Sequence, residues 1–271
     1  MHINALDGYH PGTSLVHHLD ARVKLVVAIL FIVATALTPD GAWLAYALLA
    51  ALTMGVIIAS RLRVSFVQRR AAVALPFALA AVTVVFSTPG QSLLVMPIFG
   101  QEVAITDEGL VRFVSILLKS WLSVQVAVVL TASTRFPALL QAMRSLRIPQ
   151  VLVSITGFTY RYIFVIGDEA LRLMRARAAR SGIPNLSKDG APRGQGGGSI
   201  FWRARVTGGM AGSLFLRSIE RSERIYDAMV ARGYDGEVRS LRSPALRPHD
   251  VLVALPFALA LIVIQVLARL Q

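Results

Sequence analysis

The chain has 271 residues, 55% of them hydrophobic, with no cysteine, a formal net charge of +13 and a mean hydropathy of +0.62. Ordinary soluble domains are less apolar, so a membrane protein is the first expectation, and the absence of cysteine excludes disulfides, thiolate metal sites and cysteine nucleophiles. The charge alone would suit a nucleic-acid binder, but that class needs a basic face on a soluble fold, and the apolar runs leave little room for one.

The N-terminal stretch "MHINALDGYHPGTSLVHHLDARVKL" lacks the basic-then-apolar order and the cleavage site of a signal peptide, so insertion is expected to depend on internal segments. Four of the five histidines, His2, His10, His17 and His18, fall here. Neutral imidazoles bind transition metals well, but the spacing matches no tetrahedral motif, and a flexible polar N-terminus is the simpler account. Three apolar runs follow, Val23–Leu37, Ala42–Ala59 and Ala71–Ser87. A spanning helix needs about 20 apolar residues, with a lower limit near 17, so the first must borrow from its flanks. Thr38-Pro39-Asp40-Gly41 is a tight turn that makes a hairpin of the first two.

Charge sets the orientation. "SRLRVSFVQRR" joins the second and third runs and holds Arg61, Arg63, Arg69 and Arg70 with no acid, so it belongs inside, together with the N-terminus. Residues 88–109 contain Glu102, Asp107 and Glu108 but no Lys or Arg, and belong outside; "LLVMPIFGQEVAIT" reads as a small hairpin turning at Phe99-Gly100-Gln101. A fourth span, Leu110–Thr131, carries Arg112 near its outer end and Lys119 further in. An intramembrane lysine is a functional candidate; the simpler reading is a bundle-facing or snorkelling side chain.

"PQVLVSITGFTYRYIFVIG", Pro149–Gly167, is long enough to span, but then most of a strongly basic region would lie outside. Residues 135–249 hold 18 Arg and one Lys against eight Asp and Glu, so this stretch is expected to stay at the cytoplasmic face. A last span, Val251–Leu267, leaves the C-terminus outside. The fold class that results is an all-α membrane protein of about five transmembrane helices plus long amphipathic cytoplasmic helices. Residues 1–134 form an N-terminal membrane domain of four spans. Residues 135–249 form a cytoplasmic domain of two long helices (about 149–181 and 203–232) with a Gly-rich linker at 185–199, and 250–271 form the C-terminal span. "ALPFALA" occurs at 74–80 and 254–260, but nothing around the copies matches, so no repeat is assigned.

No motif for chemistry appears. There is no phosphate-binding loop, HExxH or GxSxG, and the five spans as drawn hold no carboxylate for an ion relay; catalytic, cofactor and metal residues are accordingly expected to be absent from this chain. The informative signals are two helix ends. Along the helix that runs into "ERSERIYDAMVARGYDG" the residues Phe215, Leu216, Ile219, Ser222, Tyr226 and Met229 make an apolar stripe, with Glu220, Arg221, Glu223, Arg224 and Asp227 opposite. Gly233 suits the left-handed C′ position, with Tyr234 at C″ against Met229 at C3, a Schellman ending that holds Arg232 at the tip. "RARAARSGIP" ends alike, with Gly182 at C′, Ile183 at C″, Pro184 beyond and Arg180 in the last turn. One such arginine would only complement the helix dipole. Two, each flanked by small residues, read as docking tips for two similar partners, where a guanidinium in a groove holds a carboxylate by paired bonds.

These blocks resemble the transmembrane (T) component family of energy-coupling factor transporters, most closely its cobalt-type CbiQ branch. "HLDARVKL" is similar to the family's Leu-Asp-Pro-Arg-x-Lys-Leu signature, "FPALLQAMRSLRIP" to its short amphipathic helix, and "ARS" at 179–181 and "ARG" at 231–233 to its paired coupling motifs. Ala21 stands where the family usually has proline, which leaves Asp20 free to cap the first helix. The resemblance implies a scaffold that binds no nucleotide. Ala179, Arg180, Ser181, Ala231, Arg232 and Gly233 would dock on two ABC-type ATPase subunits that carry ATP and Mg. The lipid-embedded part would hold a substrate-capture subunit that carries cobalt. It further implies the bacterial plasma (inner) membrane with a cytoplasmic N-terminus, no enzyme activity in this chain and no nucleic acid. A nickel or vitamin (for instance biotin) system is the alternative within the family. An autonomous metal transporter using the histidine-rich N-terminus, and a membrane-attached nucleic-acid binder, are the alternatives outside it.

Overall fold

Asp20 does cap the first long helix: its side chain accepts a 2.8 Å hydrogen bond from the Arg22 amide, one of the four amides a helix start leaves without an internal partner. The computed structural model describes residues 8–89, 91–98, 101–180, 200–236 and 248–270. By their contacts they form two units, one of residues 8–146 with 248–270, the other of the described part of 147–242.

In the first unit the one-turn helix α1 (Leu15–His18) precedes α2 (Ala21–Leu37) and α3 (Trp43–Ala59), joined by the expected tight turn, which the Tyr46 hydroxyl braces by donating to Pro39 O at 2.9 Å. The basic segment after α3, read from the sequence as a connection, is itself helical. α4 (Val64–Ala71) buries Val67 and Ala71 on one side while Gln68, Arg69 and Arg70 lie around the rest. It runs through a 3-10 turn, Ala72–Ala74, into α5 (Leu75–Ser87). Pro76 accounts for the break, because its ring obstructs the carbonyl of residue 72 and it has no amide to donate.

The acidic outer loop forms the expected hairpin, β1 (Ser92–Ile98) antiparallel to β2 (Gln101–Thr106); of its turn, Phe99 and Gly100 lie outside the described residues. Thr106 then caps α6 (Asp107–Ser133), accepting from Gly109 N at 3.2 Å, with Asp107 and Glu108 favourably placed in the first turn. A Cβ on Gly109 would come within 2.6 Å of the Val85 carbonyl oxygen, so α5 and α6 approach more closely there than any side chain permits. α7 (Phe136–Ser145) packs on α2, and α10 (Pro248–Leu270) packs on α2 and α3.

α6 is the central helix, in contact with α2, α3, α4 and α5. One apolar cluster joins Phe31, Leu49, Leu122, Leu261 and Ile264 from four helices, and a second joins Ile57, Val67 and Val129. Polar side chains stitch the same interfaces: Gln265 Nε2 donates to Ala34 O (2.7 Å) and Thr38 Oγ1 (2.9 Å), Gln125 to Gln68 Oε1 (3.3 Å), and Gly41 N to Ser115 Oγ (3.1 Å). The outward faces are apolar as well, with Ile29, Val33 and Ile58 exposed, and on α10 Leu259, Ile262, Val263 and Val266. A water-soluble bundle would put polar groups there, so this pattern belongs to a helix bundle whose solvent is lipid. The architecture is the expected all-α membrane class carrying one small hairpin. Among the described residues three helices are long and apolar enough to cross a membrane, Asp107–Ser133, Gln150–Arg180 and Leu252–Leu270, with Trp43–Ala59 shorter.

Lys119 points at a defined partner. Its ammonium lies 2.8 Å from Asp40 Oδ1 in the α2–α3 turn, and Arg112 Nε lies 3.6 Å from the other oxygen of the same carboxylate. The lysine is thus a bundle-facing ion-pair partner that anchors the first hairpin to α6. The N-terminal segment differs from the flexible tail expected. From Gly8 onward it is tied down, with His10 N donating to Ala132 O at 2.9 Å and the His10 ring packed at a tilt against Phe66, ring centres 4.4 Å apart. Both ring nitrogens of His17 are engaged, with Ser14 Oγ (2.6 Å) and His10 O (3.0 Å). His2 lies outside the described residues, among which no group of three or more His, Asp or Glu side chains is placed to hold a metal ion.

Candidate functional site

The second unit contains the two long helices that end in arginine, α8 (Gln150–Arg180) and α9 (Ile200–Val230). Each has 31 residues, about 46 Å at 1.5 Å per residue. Pro149 precedes the start of α8, and the preceding Arg147 adopts φ 61° where the chain turns out of α7. The sequence divides α8 into an apolar first half and a second half with Arg172, Arg175, Arg177 and Arg180.

The helices run antiparallel, as their pairings show. Glu169 accepts from Arg221 Nη2 at 2.8 Å and from Arg217 Nη1 at 3.4 Å, and further along Arg177 Nη1 donates to Thr207 Oγ1 at 3.3 Å while its guanidinium lies 5.8 Å from the Trp202 ring centre. In this register Arg180 is opposite the first turns of α9, so it and Arg232 mark opposite ends of the pair, separated by roughly 40 Å of helix.

Beyond the Glu169 crossing the helices flank an open apolar groove of about 880 Å³. α8 lines it with Val151, Ile155, Phe158 and Tyr162, and α9 with Ile225 and Met229. The apolar stripe read from the sequence is only partly used. Ser222, Tyr226 and Met229 line the groove, whereas Phe215, Leu216 and Ile219 stay 65%, 63% and 40% exposed. The groove face is centred on Ser218, Ser222, Ile225 and Met229, and at 100° per residue it is turned well away from Leu216. The stripe is wider than the face one crossing helix can cover.

The ending expected at Gly233 is present in full. Gly233 has φ 82°; Tyr234 N donates to Met229 O at 3.0 Å and Gly233 N to Val230 O at 2.9 Å, the two reversed bonds of a Schellman motif. Ala231, Arg232 and Gly233 make the capping turn and are exposed, while Tyr234 returns beside Met229 in the groove wall. A left-handed backbone costs an L-residue roughly 1–2 kcal/mol. Gly233→Val should therefore release the amides of the last turn of α9 to hydrogen exchange about tenfold or more faster, and Gly233→Asn should do so far less. At the first tip Ala179 and Arg180 are exposed at the end of α8, while Ser181, with Gly182, Ile183, Pro184 and the Gly-rich linker, lies outside the described residues.

Sequence reasoning missed Glu169 and the pairing it makes. The signal was available: Asp168 and Glu169 are the only acids of α8, and Arg217 and Arg221 stand four apart on one face of α9.

The "Cobalt transport protein" family model, CbiQ, matches residues 12–243. The chain is similar to an energy-coupling factor transporter transmembrane protein EcfT of Bacillus selenitireducens, at 28% identity over 84% of this chain and 82% of that one. It is also similar to a cobalt transport protein CbiQ of Rhodobacter capsulatus, at 25% over 63% and 65% of the two chains. An uncharacterized protein of Methanocaldococcus jannaschii matches at 25% over 88% and 78%.

Proposed function

The chain belongs to the CbiQ family of cobalt transport proteins and is a multi-pass transmembrane component of an energy-coupling factor transporter, and from that premise we propose that it is the scaffold that transmits ATPase motion to a substrate-capture subunit during cobalt(II) uptake. The observation that carries this reading is the geometry of α8 and α9: two exposed arginines at opposite ends of one antiparallel helix pair. A twofold ATPase pair presents two equivalent grooves, and one helix pair, pinned at a crossing and carrying a tip at each end, engages both.

In this reading Arg180 and Arg232 each hold a carboxylate in one ATPase subunit, and Ala179, Ser181, Ala231 and Gly233 allow close approach. ATP and Mg are bound and ATP is hydrolysed on those subunits; cobalt is bound by the capture subunit. Work passes through the chain because the two nucleotide states of the ATPases favour different separations of the tips. Arg61, Arg63, Arg69 and Arg70 put the α3–α4 end, and with it the N-terminus, on the cytoplasmic side of a bacterial plasma membrane.

Reconstitution in liposomes tests this. The chain with both ATPase subunits and the capture subunit should import cobalt when ATP is supplied, and the chain alone should import none. Cobalt flux through the chain alone would overturn the scaffold reading in favour of an autonomous transporter. The names of several EcfT relatives specify no substrate, and a nickel or vitamin system is the second reading. Competition of cobalt against nickel and biotin in the same vesicles separates the two.

A further inference from the structure

The motif "HLDARVKL" has no part in the reading above, yet its lysine occupies a singular position. Lys24, in the first turns of α2, donates to Ser133 O at 3.2 Å and to His17 O at 3.3 Å. Both acceptors are last-turn carbonyls, of α6 and of α1, which have no donor within their own helices. A cation at two helix C-termini also meets the negative ends of two helix dipoles. The neighbouring orphan carbonyl of α6, Ala132 O, is taken by His10 N at 2.9 Å. The end of α6 is thus held by the segment that leads into α2.

The same ammonium is within electrostatic reach of two carboxylates, Asp20 at the α2 cap and Asp250 in the first turn of α10. Asp250 is 6% exposed, and a buried carboxylate is stable only with positive or hydrogen-bonding company. Chain connectivity gives the cluster its meaning. Ser133 ends the last helix before the chain passes through α7 to α8 and α9, and Asp250 begins the helix by which it returns.

We propose that Lys24 is a positioning residue for coupling: bonded to the end of α6 and within electrostatic reach of the start of α10, it ties together the bundle helices that precede and follow the stretch of chain carrying α8 and α9. A displacement of the helix pair, passed to the bundle through α7 and α10, then moves α2, α6 and α10 as one body rather than being lost in independent shifts of these helices. This rests on the coupling reading above, and the test keeps the two apart.

The chain has no cysteine, so nitroxide pairs are introduced cleanly at Pro137→Cys and Leu252→Cys, both exposed. In the assembled complex, Lys24→Met should broaden the 137–252 distance distribution and lower cobalt imported per ATP hydrolysed about fivefold or more. Co-purification of the ATPases should be unchanged. Lys24→Arg, which still donates to both carbonyls, should restore most of the ratio, a recovery that a merely space-filling role would not give. Should Lys24→Met fail to accumulate, Asp250→Asn keeps the shape and removes the charge, and it should broaden the same distribution. Unchanged distances and an unchanged import ratio in both variants would overturn the proposal. Absence of ATPase binding to the unmutated chain would instead overturn the coupling reading.

Discussion

The double variant Arg180→Glu with Arg232→Glu should lose the ATPase subunits on purification and with them all ATP-driven uptake, whereas either single variant should keep a weakened complex. Truncating one partner of a desolvated charge pair costs about 2–5 kcal/mol, and reversal adds repulsion between two carboxylates. The single variants survive because the contacts are linked. When one tip holds, the other rebinds at high effective concentration, an advantage of the order of 10²–10⁴ in apparent affinity that the physical link between the tips supplies. Losing one tip therefore forfeits that factor, and losing both removes everything specific. Arg224→Glu, on the exposed part of α9 about two turns before the capping residues, is the control for net charge and should leave the complex intact. Retained ATPase binding with normal uptake in the double variant would refute the assignment of the two arginines.

The sequence made some of this legible because the deciding physics is local. Gly233 is the residue a left-handed C′ position requires, so the Schellman bonds to Val230 and Met229 could be written from "MVARGY" alone. Hydropathy located the apolar helices Trp43–Ala59, Asp107–Ser133 and Leu252–Leu270, and Asp20 announced a cap; Gln150–Arg180 is also long and apolar enough to span, by length and composition. What failed depended on partners distant in sequence. Val64–Ala71 was read as a connection because its charges dominate composition, yet burial of Val67 and Ala71 and the Gln68–Gln125 bond make it a helix. Lys119 was recognised as significant, but Asp40, 79 residues away, could not be named as its partner. Half of the apolar stripe read on α9 meets the groove, and nothing in one sequence says how much of a stripe a single crossing helix covers.

Glu169→Lys should disable the helix pair without touching either tip. Glu169 is 19% exposed in its side chain and receives both Arg221 and Arg217; lysine there would bring three cations together where these ion pairs pin α8 to α9. The 57% exposed Arg217 contributes little, since solvent screens such a pair to about 0–1 kcal/mol. The Arg221 link, shorter and better shielded, carries most of the effect. The consequence is larger than the energy suggests because the apolar groove beyond the crossing is open, so little else along that half opposes splaying. Spin labels at Ala179→Cys and Ala231→Cys, both exposed, should report a narrow distribution near the roughly 40 Å expected from helix rise in the unmutated chain, and a broad one in Glu169→Lys. Glu169→Gln keeps one hydrogen-bond acceptor and should fall between. Uptake should drop about tenfold in the lysine variant, with both ATPases still bound, because each tip still fits its groove while their separation no longer follows the nucleotide state. A lysine variant whose distances and uptake match the original would mean that the tips are held apart by something other than the Glu169 crossing.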